Sequence, residues 1–238
     1  MTCDNTWHLG SMSLCGTTLV DTWIVMALVL IVGIFAARAA SVEDPRGLGN
    51  LFEMIIDFVA GFIGVEETST GRGRFLLMFL TTLFIFILFS NLLGIVPGLN
   101  SPTNTLNTNL GLAAVVFILV QGSGFGEKGI RYLKRFTHPG GALGYAMMPI
   151  TLIEELAKPI TLSMRLFGNI FAGELMIVVL LQLLNLRTFL FLGFIPHVVW
   201  LAFSIFVGVI QAFIFMVLSL AYVRQALEAD EEHHAAHG

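Results

Sequence analysis

From Phe75 to Gly126 the chain runs for 52 positions without an Asp, Glu, Lys or Arg. No water-solvated domain tolerates that easily, because a globule needs polar side chains to cover its outside. The rest of the chain makes up no deficit. Its 238 residues hold 12 basic and 16 acidic side chains, 12% in all, against 56% hydrophobic. An ordinary soluble domain carries roughly twice that charged fraction. Intrinsic disorder, a disulfide-rich secreted scaffold and a nucleic-acid binder with a basic face are excluded on the same grounds. Hydrocarbon leaves backbone amides no solvent partner, so the segments that cross it close their own hydrogen bonds as helices. The expected fold is an all-α polytopic membrane protein forming a single integral membrane domain.

Crossing the hydrocarbon core takes about 20 apolar residues in a helix. The tracts predict an N-terminal tail over 1–21, spans over 22–40, 75–97 and 110–125, and long helices over 142–186 and 188–226. A polar tail, EADEEHHAAHG, follows over 227–238. Residues 51–64 are too polar to cross: Glu53 and Asp57 share one stripe of an otherwise apolar helix, which suits the membrane interface. The last two helices exceed a perpendicular crossing, so they are expected to tilt as a hairpin, with Pro149, Pro159 and Pro196 as candidate kinks. Counting Lys and Arg by loop sets the orientation. The N-terminal tail has none, while Arg38, Arg46, Arg72 and Arg74 lie between the first two spans. The 97–109 linker has none, and Lys128, Arg131, Lys134 and Arg135 follow the third span. This alternation predicts five spans with the N-terminus outside and the C-terminus in the cytoplasm. Cys3 and Cys15 both precede the first span, where a disulfide and two separate thiols are equally compatible with an extracytoplasmic tail.

Five ionisable residues remain within or near a span, all between Glu154 and Glu174: Glu154, Glu155, Lys158, Arg165 and Glu174. An intramembrane charge is costly and marks function by default. At 100° per residue, Glu154, Lys158, Thr161, Asn169 and Ala172 all fall within about 40° of Arg165, and Glu174 falls opposite. Glu154 lies roughly 16 Å before Arg165 along the axis and Glu174 roughly 13 Å after it. Carboxylates exchange protons and arginine does not. A path entering from either face therefore meets a fixed cation at mid-depth, as two routes that must not short-circuit require. Ion-paired glue between helices is the structural alternative for Arg165 and Glu174. For Lys158 the expectation is a side chain snorkelling to the interface, and for Glu154 and Glu155 interfacial solvation competes with a channel role. On the last helix His197, Ser204, Gly208 and Tyr222 line up within about 60° of Gln211, whose amide is placed to hold the Arg165 guanidinium.

The stretch RLFGNIFAGE at 165–174 and QAFIFMVL at 211–218, with SNLLGIVPG at 90–98 and GFGEKG at 124–129, resembles subunit a of the F-type ATP synthases. That resemblance covers most of the chain. It implies that Arg165 faces the carboxylate of each c subunit, with Gln211 beside it from the last helix and Asn169 as its polar neighbour. Glu174 is then the carboxylate of the extracytoplasmic half-channel, Glu154 and Glu155 resemble acidic residues of the cytoplasmic one, and Asn107 a polar residue of the outer linker. Ser204 stands where some relatives carry a titratable residue, and about Thr105 many carry an Asp. The outer route would then lean on Glu174, water and His197.

The implied function is that of a proton-translocating stator subunit whose two offset half-channels couple proton flow to c-ring rotation and ATP synthesis. It is not catalytic alone: no GxxxxGK[ST] phosphate loop is present. The resemblance implies as partners the c-ring, the peripheral stalk b subunits, the remaining synthase subunits and lipid, in a bacterial plasma membrane. No cofactor and no metal site is expected; His233 and His237, spaced i, i+4, read as a solvated tail. The alternatives are a secondary ion transporter, which predicts a substrate pocket and repeated halves, and a purely structural membrane anchor. The choice between H+ and Na+ rests with the ring, which supplies the ion-binding carboxylate.

Overall fold

The computed structural model describes residues 6–9, 12–39, 48–64, 68–95, 101–129, 132, 142–183 and 194–228. Six helices carry the fold: α1 Gly16–Ala39, α2 Leu48–Ile63, α3 Gly71–Leu93, α4 Leu106–Lys128, α5 Ala142–Leu183 and α6 Phe194–Glu228. Four of them hold stretches long and apolar enough to cross a membrane, Thr18–Phe35, Gly71–Leu93, Leu106–Gly126 and Val198–Leu227. Helix α5 is longer still, at 42 residues, and carries the concentration of charge. A short ribbon precedes these helices at the N-terminus. Strands β1 (Thr6–Leu9) and β2 (Met12–Cys15) pair antiparallel, Thr6 opposite Cys15 and Leu9 opposite Met12, before α1 begins. That tail has few charges and alternates short polar and apolar residues, which suits a two-stranded ribbon. Cys3 and the His233–His237 pair lie outside the described residues.

Local chemistry explains where the helices differ from the expected spans. Helix α3 starts before Phe75 because Thr70 caps it: its Oγ1 accepts from the Gly73 amide at 3.0 Å, so Arg72 and Arg74 join the first turns. It ends at Leu93 rather than 97, handing over through Gly94. Helix α5 runs unbroken through both Pro149 and Pro159, and Pro196 is the third residue of α6. In a first turn the missing proline N–H has no intrahelical partner to lose, so no kink is needed there.

The chain divides into two compact units, each assembled from distant stretches of sequence: Met1–Thr105 with Gly168–Met216, and Leu106–Phe167 with Val217–Gly238. In the first, α1, α2 and α3 pack on one another around Val25, Val59, Ile63, Leu80 and Ile87. Phe213 of α6 joins Phe58 and Phe62 of α2 with ring centroids 5.7 and 5.5 Å away. Glu53 and Asp57 are exposed on α2, consistent with an amphipathic helix. In the second unit, Val116 and Val120 of α4, Leu162 and Leu166 of α5, and Leu220 and Val223 of α6 are buried.

Tyr132 fastens the chain after α4 back onto that helix. Its ring is buried, and its hydroxyl donates to Gln121 Oε1 at 2.7 Å. Gly124 makes room for it, since a methyl group there would overlap the ring. Gly124→Ala is expected to destabilise the subunit by about 1–3 kcal/mol, through overpacking and the displaced hydrogen bond. Combining it with Tyr132→Ala should cost less than the two single changes added together. Thermal unfolding of the detergent-solubilised complex measures both.

Candidate functional site

Asn169 and Gln211, predicted on separate helices, meet in the first unit. Asn169 Nδ2 donates to Gln211 Oε1 at 2.6 Å. Gln211 is 2% exposed, and its Nε2 is buried without a hydrogen-bond partner among the described residues. Its oxygen is thus taken by a neutral amide, and its remaining donors suit an acceptor rather than a cation. The bond found for this amide goes to Asn169. Both residues emerge from apolar helices at positions set by the 3.6-residue period, so each helix brings one polar group to the contact.

Arg165 precedes Asn169 by four residues, one helical turn of α5, and is exposed. Of the apolar residues near it on that helix, Ile160, Met164 and Phe171 are between 41% and 51% exposed, while Leu162 and Leu166 are buried. Glu174 and His197 lie within α5 and α6, with their side chains outside the described residues. Ser204 is half-buried on α6, and Asn107, the second residue of α4, is exposed.

Glu154 and Glu155, read from sequence as a pair at the same depth, have different surroundings. Glu154 is exposed on α5, whereas Glu155 is 3% exposed inside the second unit. Its Oε1 lies 2.7 Å from Lys158 Nζ, three residues on, and its Oε2 accepts from Gln121 Nε2 at 3.4 Å. Lys158 also donates to Gln225 Oε1 at 2.8 Å and stands 5.6 Å from the centre of the Tyr222 ring. Lys158, expected from sequence to snorkel, has its ammonium beside a carboxylate one turn back and near an aromatic face. Gln121, which bonds this carboxylate, Tyr132, which bonds Gln121, and Gln225 and Tyr222, which flank Lys158, carry no mark of these roles in the sequence. Only GFGEKG hinted at them, because its Gly124 allows the close return of Tyr132.

A buried pair is worth most when it is broken, because one partner stays behind uncompensated. Lys158→Met is expected to destabilise the subunit by about 3–5 kcal/mol. Adding Glu155→Leu should recover much of that loss, and chemical denaturation of the solubilised complex tests the recovery.

Comparison with known proteins follows the same residues. The family described as ATP synthase A chain matches residues 19–224, a stretch that includes Arg165, Asn169 and Gln211. The ATP synthase subunit a of Desulforamulus reducens is 40% identical over 237 residues, covering 97% of this chain and 87% of that protein. The ATP synthase subunit a of Moorella thermoacetica is 38% identical over 218 residues, covering 91% and 93%. An ATP synthase subunit a of Syntrophotalea carbinolica is 38% identical over 207 residues, covering 87% and 84%. With the match running through nearly all of both long helices, the chain belongs to the ATP synthase A chain family.

Proposed function

We propose that this chain is the proton-translocating stator subunit of an ATP synthase membrane sector, with Arg165 as the fixed cation between two half-channels. The observation that carries this reading is an exposed arginine in the middle of a long helix on which the apolar residues Ile160, Met164 and Phe171 are also exposed, in a chain of this family. A guanidinium held in an apolar setting calls for an anionic partner, and the carboxylate of a neighbouring c subunit has the required charge and shape.

Five spans, with α5 as the fourth, place the N-terminus outside and the C-terminus in the cytoplasm, in a bacterial plasma membrane. A proton arriving from outside by way of Glu174 neutralises a ring carboxylate. The neutral site then turns into lipid, which an ionised carboxylate enters only at high cost. After nearly a full revolution it reaches the inner route. Exposed Glu154 is available there to receive a proton, while Glu155 is committed to Lys158 and Gln121. Arg165 favours the ionised carboxylate on the ring and so promotes release. It also blocks direct passage between the routes, since it does not give up its proton. Asn169 and Gln211 supply neutral hydrogen-bonding capacity beside it, which orients a carboxylate without adding charge. A membrane potential contributes about 2.3 kcal/mol for each charge moved through 100 mV. The chain binds no nucleotide in this scheme; the peripheral stalk holds it still against the ring.

Arg165→Ala should lower ATP-driven proton pumping in inverted vesicles by about a hundredfold or more, the loss expected when a focused charge is removed. Substantial pumping in that variant would overturn the assignment. Glu174→Gln should slow passive proton flow by about tenfold or more, since it removes a proton-exchanging group. Normal amounts of assembled complex, assessed by native gel, should accompany that loss. Flow equal to wild type across the pH range would remove Glu174 from the path.

A further inference from the structure

The C-terminal end of α3 makes a contact that the scheme above does not use. Asn91 Nδ2 donates to the main-chain oxygen of Gly208, in the interior of α6, at 3.0 Å. A carbonyl oxygen has two lone pairs, so Gly208 can serve its own helix and Asn91 together. The approach is close because residue 208 has no side chain: a Cβ there would lie 3.2 Å from Asn91 Cβ, tight enough to force a shift. Asn91 is itself braced. Thr103 Oγ1 lies 3.3 Å from Asn91 Oδ1 and 2.6 Å from Ser101 Oγ, and Ser101 Oγ donates to Ser90 O at 2.8 Å. Ser101 and Thr103 are both buried, so this brace is shielded from water.

Gln211 follows Gly208 by three residues, less than one turn and about 4.5 Å along the axis. A helix transmits a shift over that distance almost rigidly. A hydrogen bond of 2.6 Å between Asn169 and Gln211 tolerates little of it. We propose that Asn91, braced by Thr103 and Ser101, is a positioning residue that sets the depth and rotation of α6 at Gln211, and that residue 208 is glycine to admit it. Its functional consequence rests on the stator reading above.

The experiment uses intact ATP synthase in inverted membrane vesicles, with pumping normalised to the amount of this subunit. Asn91→Ala and Gly208→Ala should each lower pumping by up to about tenfold, the fold-change of one lost hydrogen bond. Because both remove the same contact, the double variant should be no worse than the poorer single one. Asn91→Asp supplies a readout that packing alone would not move. Its protonated carboxyl can donate to Gly208 O and its ionised form cannot. Pumping relative to wild type should therefore recover as pH falls and be lost as pH rises. Within the first unit, the charged and titratable groups on the elements around Asn91 are Asp21 and Arg38 on α1, Glu53 and Asp57 on α2, Arg72 and Arg74 on α3, and His197 on α6. Asp21 alone among these acids is buried, so the profile is repeated in an Asp21→Asn background. Multiplying losses in the double variant, or an Asn91→Asp profile parallel to that of Asn91→Ala, would overturn the proposal. Arg165→Ala in the same vesicles separates the two readings: pumping there defeats the stator assignment, whereas wild-type pumping in Asn91→Ala defeats the positioning role alone. The same double-variant cycle, read as thermal stability, reports the contact without depending on transport.

Discussion

Hydrocarbon offers a polar group nothing to bind, so each one inside a span has to find its partner within the protein or in a neighbouring subunit. This chain answers that constraint in two ways. Some polar groups are closed off in pairs and chains, as with Glu155, Lys158, Gln121 and Gln225, or Asn91, Thr103 and Ser101. Others are left with spare capacity: the exposed Arg165, the exposed Glu154 and the buried Nε2 of Gln211. The first kind holds helices in place, and the second kind keeps hydrogen-bonding or ionic capacity that these networks do not consume.

The closed networks share a design. In each, a side chain reaches a helix at a point where a glycine leaves it room. Gly124 admits the Tyr132 ring over α4, and Gly208 admits Asn91 onto the backbone of α6. Apolar packing alone is weakly specific here, because lipid tails solvate Leu and Ile about as well as a helix neighbour does. Directional bonds can fix what greasy surfaces leave loose, namely how far a helix slides and how it is rotated. The 2.6 Å bond between Asn169 and Gln211 depends on that freedom being removed.

Much of this was legible beforehand. The 52-residue charge-free run required helices in a membrane, and helical periodicity alone put Glu154, Arg165 and Asn169 on one stripe of α5. Gln211 and Asn169 were recognisable as polar exceptions on two apolar helices. Three things were hidden. The β1–β2 ribbon has strands of only four residues, too short for their alternation to single out a strand in advance. The division of labour between Glu154 and Glu155 depends on which of two adjacent residues turns inward, and adjacent residues on a helix differ by 100°. The Asn91 contact goes to a backbone oxygen, which every residue possesses and no sequence pattern marks.

By itself, then, the sequence determined the solvent, the helices and which residues are costly enough to be there for a reason, because those follow from local composition and a fixed helical period. Only the tertiary structure decided the pairings: that Gln211 receives Asn169, that Glu155 is bound to Lys158 while Glu154 is left exposed, and that Asn91 reaches Gly208. Periodicity gives each side chain an angle on its own helix. The depth and rotation of one helix against another come from contacts between residues far apart in the chain, here up to 117 positions. Those contacts exist only once the helices have packed.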